Sequence, residues 1–164
     1  MKKFTTVFLL LALFSTQKSF SQMPHLYVTP ENGGANGGGT ILESDFTGVG
    51  FHKVYDFHYD IAFAPTDNLV RADDGFLYGT TWLGGFMDSC VIYRFDTLGN
   101  SVDSVYNFFH NTSAGAEPFG GLVLANDHNL YGTASMGANG SGVIYRYNPQ
   151  TDVYTDVHDF NAVD

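Results

Sequence analysis

The apolar positions of this chain fall into short runs separated by glycine and polar positions, and the same runs return at a nearly fixed interval. Leu77-Tyr78-Gly79-Thr80 recurs as Leu130-Tyr131-Gly132-Thr133 and, more loosely, as Leu26-Tyr27-Val28-Thr29. Val91-Ile92-Tyr93-Arg94 recurs as Val143-Ile144-Tyr145-Arg146, with Ile41-Leu42 at that place in the first copy. The copies close on Val54-Tyr55-Asp56-Phe57, Val105-Tyr106-Asn107-Phe108 and Val157-His158-Asp159-Phe160. Pro65 with Leu69-Val70 matches Pro118 with Leu122-Val123. The offsets stay between 51 and 53 residues, so residues 26–57, 65–108 and 118–160 are three tandem copies of one unit.

Within a copy the period is two. In the third copy Val143, Tyr145 and Tyr147 alternate with Ile144 and Arg146, the pattern of a strand with two differently clad faces. Strands are predicted at 121–125, 130–134, 143–147 and 153–160, rich in β-branched and aromatic residues. Between them lie an Asn126-Asp127-His128 turn, a glycine-rich loop at 137–142 and an Asn148-Pro149 turn. Four short strands repeated at this length are the pattern of a propeller blade. A β-solenoid has shorter coils, and a single sandwich leaves the repeat unexplained. The expected fold is all-β: an incomplete β-propeller arc of about three four-stranded antiparallel blades, the first lacking its first strand. Propellers have at least about four blades, so the arc is expected to continue beyond Asp164.

The run Pro118, Gly120-Gly121-Leu122-Val123, Asn129-Leu130-Tyr131-Gly132-Thr133, Gly142-Val143-Ile144-Tyr145 resembles the GloVer tandem repeat of the choice-of-anchor type, and more loosely kelch. The resemblance runs from Leu26 to Phe160. The second copy departs from it with Asn68-Leu69-Val70, and the first copy has no counterpart of that strand. It implies a secreted or surface-exposed bacterial protein, often with a C-terminal anchor or sorting domain. It implies no catalytic residues.

The first 21 residues read separately from the repeat. Lys2 and Lys3 precede an apolar run from Val7 to Phe14, and Ser19-Phe20-Ser21 sets small residues before a cut after Ser21. That is the layout of a secretory signal peptide. Eight apolar residues are too few for a bilayer core, which takes about 20, so no transmembrane anchor is expected. The domains are therefore a signal peptide at 1–21 and the repeats at 22–164, and the protein is expected outside the cell or on its outer surface.

Removing that segment takes three lysines and leaves 17 acids against 4 bases. A charge of −13 disfavours nucleic acid and anionic membrane as partners. Cys90 is the sole cysteine, so no internal disulfide forms, and its place in an apolar strand reads as a buried small side chain.

Residues private to one copy are free to serve function, whereas recurring ones serve the unit. Asp73-Asp74-Gly75 matches Asn126-Asp127-His128, so these acids read as turn residues. A calcium site of clustered carboxylates is the alternative, but the EF-hand spacing is absent and no cofactor is expected. Arg94 and Arg146 recur and suggest an ion pair between blades or a solvent-facing side chain. The glycines at 33–39 form a loop without the helix and lysine of a phosphate cradle.

In an antiparallel blade the loop after the second strand and the crossover to the next blade share one face. That face carries the longest and least repeated segments, and with them Trp82, His58, Tyr59, Asp60, His110 and Asn111. An apolar ring with nearby hydrogen-bonding groups suits a sugar; packing of Trp82 between blades is the competing reading. The leading function is a binding module for a glycan or an extracellular protein. The alternatives are a carbohydrate-active enzyme, with Asp60 and Glu117 as candidate carboxylates, and a structural spacer ahead of an anchor.

Overall fold

The computed structural model describes residues 25–109, 115–161 and 163. The expected signal peptide, and His110 and Asn111, lie outside the described residues. Among the described residues twelve strands form three antiparallel sheets. The first sheet is β1 (His25–Val28), β2 (Thr40–Asp45) and β3 (His52–Asp56), with β2 central. The second has β4 (Phe63–Pro65), β5 (Val70–Arg71), β6 (Leu77–Leu83), β7 (Val91–Asp96) and β8 (Ser101–Asn107). The third has β9 (Val123–Leu124), β10 (Leu130–Ala134), β11 (Val143–Asn148) and β12 (Val153–Asp159), in spatial order 12-11-10-9. No described helix is long and apolar enough to cross a membrane.

The repeat extends to the details of register. Val91 stands opposite Asn107, Val143 opposite Asp159 and Thr40 opposite Asp56. Directly afterwards each ladder slips, between Ile41 and Leu42, Ile92 and Tyr93, and Ile144 and Tyr145. The same irregularity at the same residue of all three sheets belongs to the unit. Such a bulge sharpens local twist and re-aims the following side chains.

The sheets stack face on face through two apolar layers. Ile41 and Phe57 of the first sheet meet Leu77, Val91, Tyr93 and Phe95 of the second. Tyr78, Ile92 and Phe108 of the second meet Leu130, Val143, Tyr145 and Tyr147 of the third. The rings repeat their geometry. Phe57 lies edge-on to Tyr93 at 5.1 Å and Phe108 to Tyr145 at 5.2 Å. Tyr27 meets Phe95 at 5.9 Å and Tyr78 meets Tyr147 at 6.0 Å. Pairs of this kind add about 0.5–1.5 kcal/mol beyond the area they bury. Gly79 and Gly132 make room for the tyrosines: a Cβ on Gly79 would sit 2.6 Å from the Tyr93 hydroxyl. Among the described residues the stack is open, with no sheet on the outer faces of the first and third sheets.

Several expectations need correction. The first strand of the second unit is not one strand but two short ones, since Phe63 pairs with Leu83 and Val70 with Tyr78. Ala64 at φ 57° turns the chain ahead of Pro65, and the Asp67 carboxylate takes the Asn68 amide at 2.6 Å. The Thr66 amide still donates to the Thr80 carbonyl at 3.0 Å, and residues 67–69 then leave the pairing until Val70. In the third unit Ala116 bridges Met136, and Glu117 at φ 60° precedes Pro118, so the same bend recurs. The strand expected at 121–125 is reduced to Val123–Leu124. Trp82 and Leu83, expected in a loop, are strand residues because β4 extends the pairing of β6. A short 3-10 turn lies at Phe86–Asp88, with Met87 and Asp88 in the left-handed region at φ 60° and 55°. Arg94 pairs inside its own sheet, Nε to Asp103 Oδ2 at 3.3 Å, and lies over the Phe76 ring, so no ion pair links sheets there.

Candidate functional site

The loops after β6 and β10 and the crossovers between sheets gather at one end of the stack. The crossover from the first sheet to the second turns tightly at residues 58–62. The His58 carbonyl accepts the amides of Ile61 at 3.0 Å and Ala62 at 2.9 Å. This turn presents His58, Tyr59 and Asp60 outward, all exposed, with His58 Nδ1 3.5 Å from Asp60 Oδ2. The Gly85 amide donates to the Tyr59 carbonyl at 3.0 Å, which ties the crossover to the loop after β6. The Tyr59 hydroxyl hydrogen-bonds the Asp88 carboxylate, and that bond raises the phenol above its ordinary value. Its ring meets Phe63 edge-on at 5.2 Å.

Trp82 stands on the other flank of the second sheet. It is 45% exposed, and its ring centroid lies 6.2 Å from that of Phe119 on the crossover to the third sheet. Its carbonyl accepts the thiol of Cys90 at 2.8 Å. Cys90 is fully buried, and burial raises its thiol above the ordinary value, so it is a packing residue and not a nucleophile. A third ring pair, Phe86 with Phe109 at 6.4 Å, lies at the same end. Phe86 follows the buried Gly84 and is oriented by its amide donating to Asn107 Oδ1 at 2.9 Å.

The structure therefore groups His58, Tyr59 and Asp60 on one turn and sets Trp82 beside a different crossover. No hydrogen bond or ring contact joins the two groups among the described residues. Sequence reasoning missed Phe119 and Met87. Both are exposed and, like Trp82, private to their copies; the test applied to Trp82 would have found them. The two candidate carboxylates sit on different crossovers: Asp60 beside His58, and Glu117 accepting the Ser135 hydroxyl at 2.8 Å. Among the described residues no three His, Cys, Asp or Glu side chains are placed to hold a metal ion.

The turns at the opposite end are occupied with their own backbone. Asp74 accepts the Tyr78 hydroxyl and Asp127 that of Tyr131, each at 2.8 Å, and His128 pairs with Asp73 across the sheets. Hydrogen bonds from Asn129 and Tyr131 hold the Asp127 carboxyl below its ordinary value. These acids are turn and bridging residues, as their recurrence in the sequence indicates.

A family model described as Gloeobacter/Verrucomicrobia repeat matches residues 15–164. No curated protein matches the chain.

Proposed function

The chain belongs to the Gloeobacter/Verrucomicrobia repeat family, and from that premise we propose that it is an arc of a β-propeller, exported by its N-terminal segment, that binds a glycan at the crossover end of its sheets. The repeated face-on stacking of three antiparallel sheets of three, five and four strands supports the propeller reading. The observation that carries the binding reading is the exposed aromatic rim of Trp82, Phe119, Tyr59 and Phe86, flanked by His58, Asp60 and Asp88. Solvated rings, one on strand β6 and three on the turns and crossovers beside it, offer planes for sugar faces, and the neighbouring polar groups suit hydroxyls. Loops set on a fixed scaffold are where binding residues concentrate. The acidic excess of the chain directs the choice towards neutral glycans.

A glycan array on the full-length protein, followed by Trp82→Ala, tests this. Loss of one stacking plane worth about 0.5–1.5 kcal/mol weakens binding roughly 2- to 12-fold. Thermal stability stays nearly unchanged because the ring is half exposed. Binding that survives Trp82→Ala, or no binding to any glycan, overturns the reading. Export is tested by sequencing the N-terminus of secreted protein, which should begin near Gln22.

A further inference from the structure

Two turns stand side by side at the end of the second sheet opposite to Trp82: residues 72–76 between β5 and β6, and residues 97–100 between β7 and β8. A cavity of about 290 Å³ opens between them, lined by Arg71, Asp74, Phe76, Asp96, Thr97 and Leu98. Ligand sites run from about 300 to 1,000 Å³, so this volume suits one small molecule and not a length of polymer.

Its hydrogen-bonding groups are unevenly occupied. Both oxygens of Asp74 are taken, Oδ1 by the Phe76 amide at 3.1 Å and Oδ2 by the Tyr78 hydroxyl at 2.8 Å. Asp96 Oδ1 accepts the Leu98 amide at 2.9 Å, and its Oδ2 accepts nothing among the described residues. Arg71 donates from Nη1 to the Gly75 carbonyl at 3.0 Å and forms no ion pair among the described residues, so most of its donors stay unused. The charges of Arg71 and Asp96 therefore share one cavity without pairing with each other. Two apolar side chains join them: the half-buried Phe76, whose ring lies 5.1 Å from the Arg94 guanidinium, and Leu98, 86% exposed.

These groups are private to the second unit. Register puts Leu124 of the third unit at the place of Arg71, Asn129 at that of Phe76, and Pro149-Gln150 at that of Thr97-Leu98. Asp74 recurs as Asp127 and serves the turn in both. The unit thus folds without the arginine, the ring or Leu98, and turn geometry does not account for their meeting.

We propose that this cavity binds a zwitterionic apolar amino acid. The ligand's carboxylate takes the unused donors of Arg71, a pairing that the planar guanidinium can make bidentate. Its ammonium donates to Asp96 Oδ2, and its apolar side chain lies against Phe76 and Leu98. A zwitterion leaves the charge of the site unchanged, whereas an anionic ligand adds to a chain of net charge −10. An acidic sugar is for that reason the poorer match to the same arginine.

The test titrates the full chain with L-phenylalanine and follows the amide signals by NMR. Saturable shifts centred on residues 71–76 and 96–99 are expected, and affinity should fall about tenfold or more in Arg71→Gln and in Asp96→Asn. Neither variant should change the circular dichroism, because Arg71 is exposed and an asparagine oxygen at position 96 still accepts the Leu98 amide. Phenylpropionate, which lacks the ammonium, and phenylalanine amide, which lacks the carboxylate, should each bind about tenfold or more weakly. No saturable binding of L-phenylalanine overturns the proposal, as does equal affinity for either analogue or binding unaltered by both substitutions. Glucuronate bound in preference to L-phenylalanine would make the occupant an acidic sugar and overturn the choice of ligand. Trp82→Ala should leave L-phenylalanine binding unchanged, which separates this cavity from the glycan rim; loss of binding in that variant overturns the placement.

Discussion

Removing a hydroxyl from each of two central tyrosines should make the protein more stable. Tyr93 and Tyr145 are fully buried, and burial raises both phenols far above tyrosine's ordinary value. Neither hydroxyl has a hydrogen-bond partner among the described residues. A buried hydroxyl left unpaired costs about 1–3 kcal/mol. Deleting the oxygen forfeits a handful of dispersion contacts at about 0.1–0.2 kcal/mol each, which offsets part of that gain. The ring stays against Phe57 or Phe108 in either variant. The net expectation is about 1 kcal/mol of stabilisation for Tyr93→Phe and again for Tyr145→Phe, or about 2–4 °C in Tm. The two lie in different apolar layers, so the double variant should show nearly the sum. Urea titration measures this, with an unchanged slope as the sign that the native state is intact. Loss of more than about 1 kcal/mol in either variant would refute the reasoning, since a buried water must then satisfy the hydroxyl.

Three further outcomes follow from the same packing. Phe108→Ala should cost about 3–5 kcal/mol in urea unfolding, because it removes a ring that touches both Tyr145 and Tyr154; a cost near that of a surface change would mean the sheets part easily. Tyr27 and Tyr106 are pushed up to about 12, chiefly by burial, against about 10 when unfolded. Their contribution to stability is thus complete below about pH 10 and is lost as pH rises towards 12, so phenolate absorbance should rise together with loss of ellipticity and not before it. Cys90 should resist Ellman's reagent in the native protein and react on unfolding, whereas rapid native labelling would show that the layer between the second and third sheets opens.

The sequence made the repeat, the three-sheet division and the alternation of β11 legible because each rests on local periodicity. Val143, Tyr145 and Tyr147 are buried while Ile144 and Arg146 are less so, as their spacing indicates. The same reading is less complete for β7, where Val91, Ile92 and Tyr93 are all buried, because the second sheet is covered on both faces. The bulge after Ile41, Ile92 and Ile144 has no composition of its own and was invisible. The split of the first strand depends on a left-handed Ala64, a conformation that alanine does not advertise. At the candidate site, Trp82 was found because it is unique and unrepeated. Phe119 was passed over because it follows Pro118 and Glu117 in what reads as an ordinary crossover.

The recurring ring pairs give the stack a direction. Phe57 and Phe108, each directly after the last strand of its unit, reach across to Tyr93 and Tyr145 of the following unit. Tyr27 and Tyr78 likewise meet Phe95 and Tyr147 of the following unit. At the other extreme Thr40 and Ser44 replace the apolar receivers, and the buried Ser44 hydroxyl lies 3.0 and 3.1 Å from the carbonyls of Asp45 and Val49. During synthesis, which proceeds from the N-terminus, each finished sheet therefore emerges from the ribosome with its donor ring already in place. The next unit then assembles against a prepared template. The exposed apolar surface at any moment is one sheet face and does not grow with the number of repeats, so lengthening such a protein by duplication adds no new hazard of misassembly per unit.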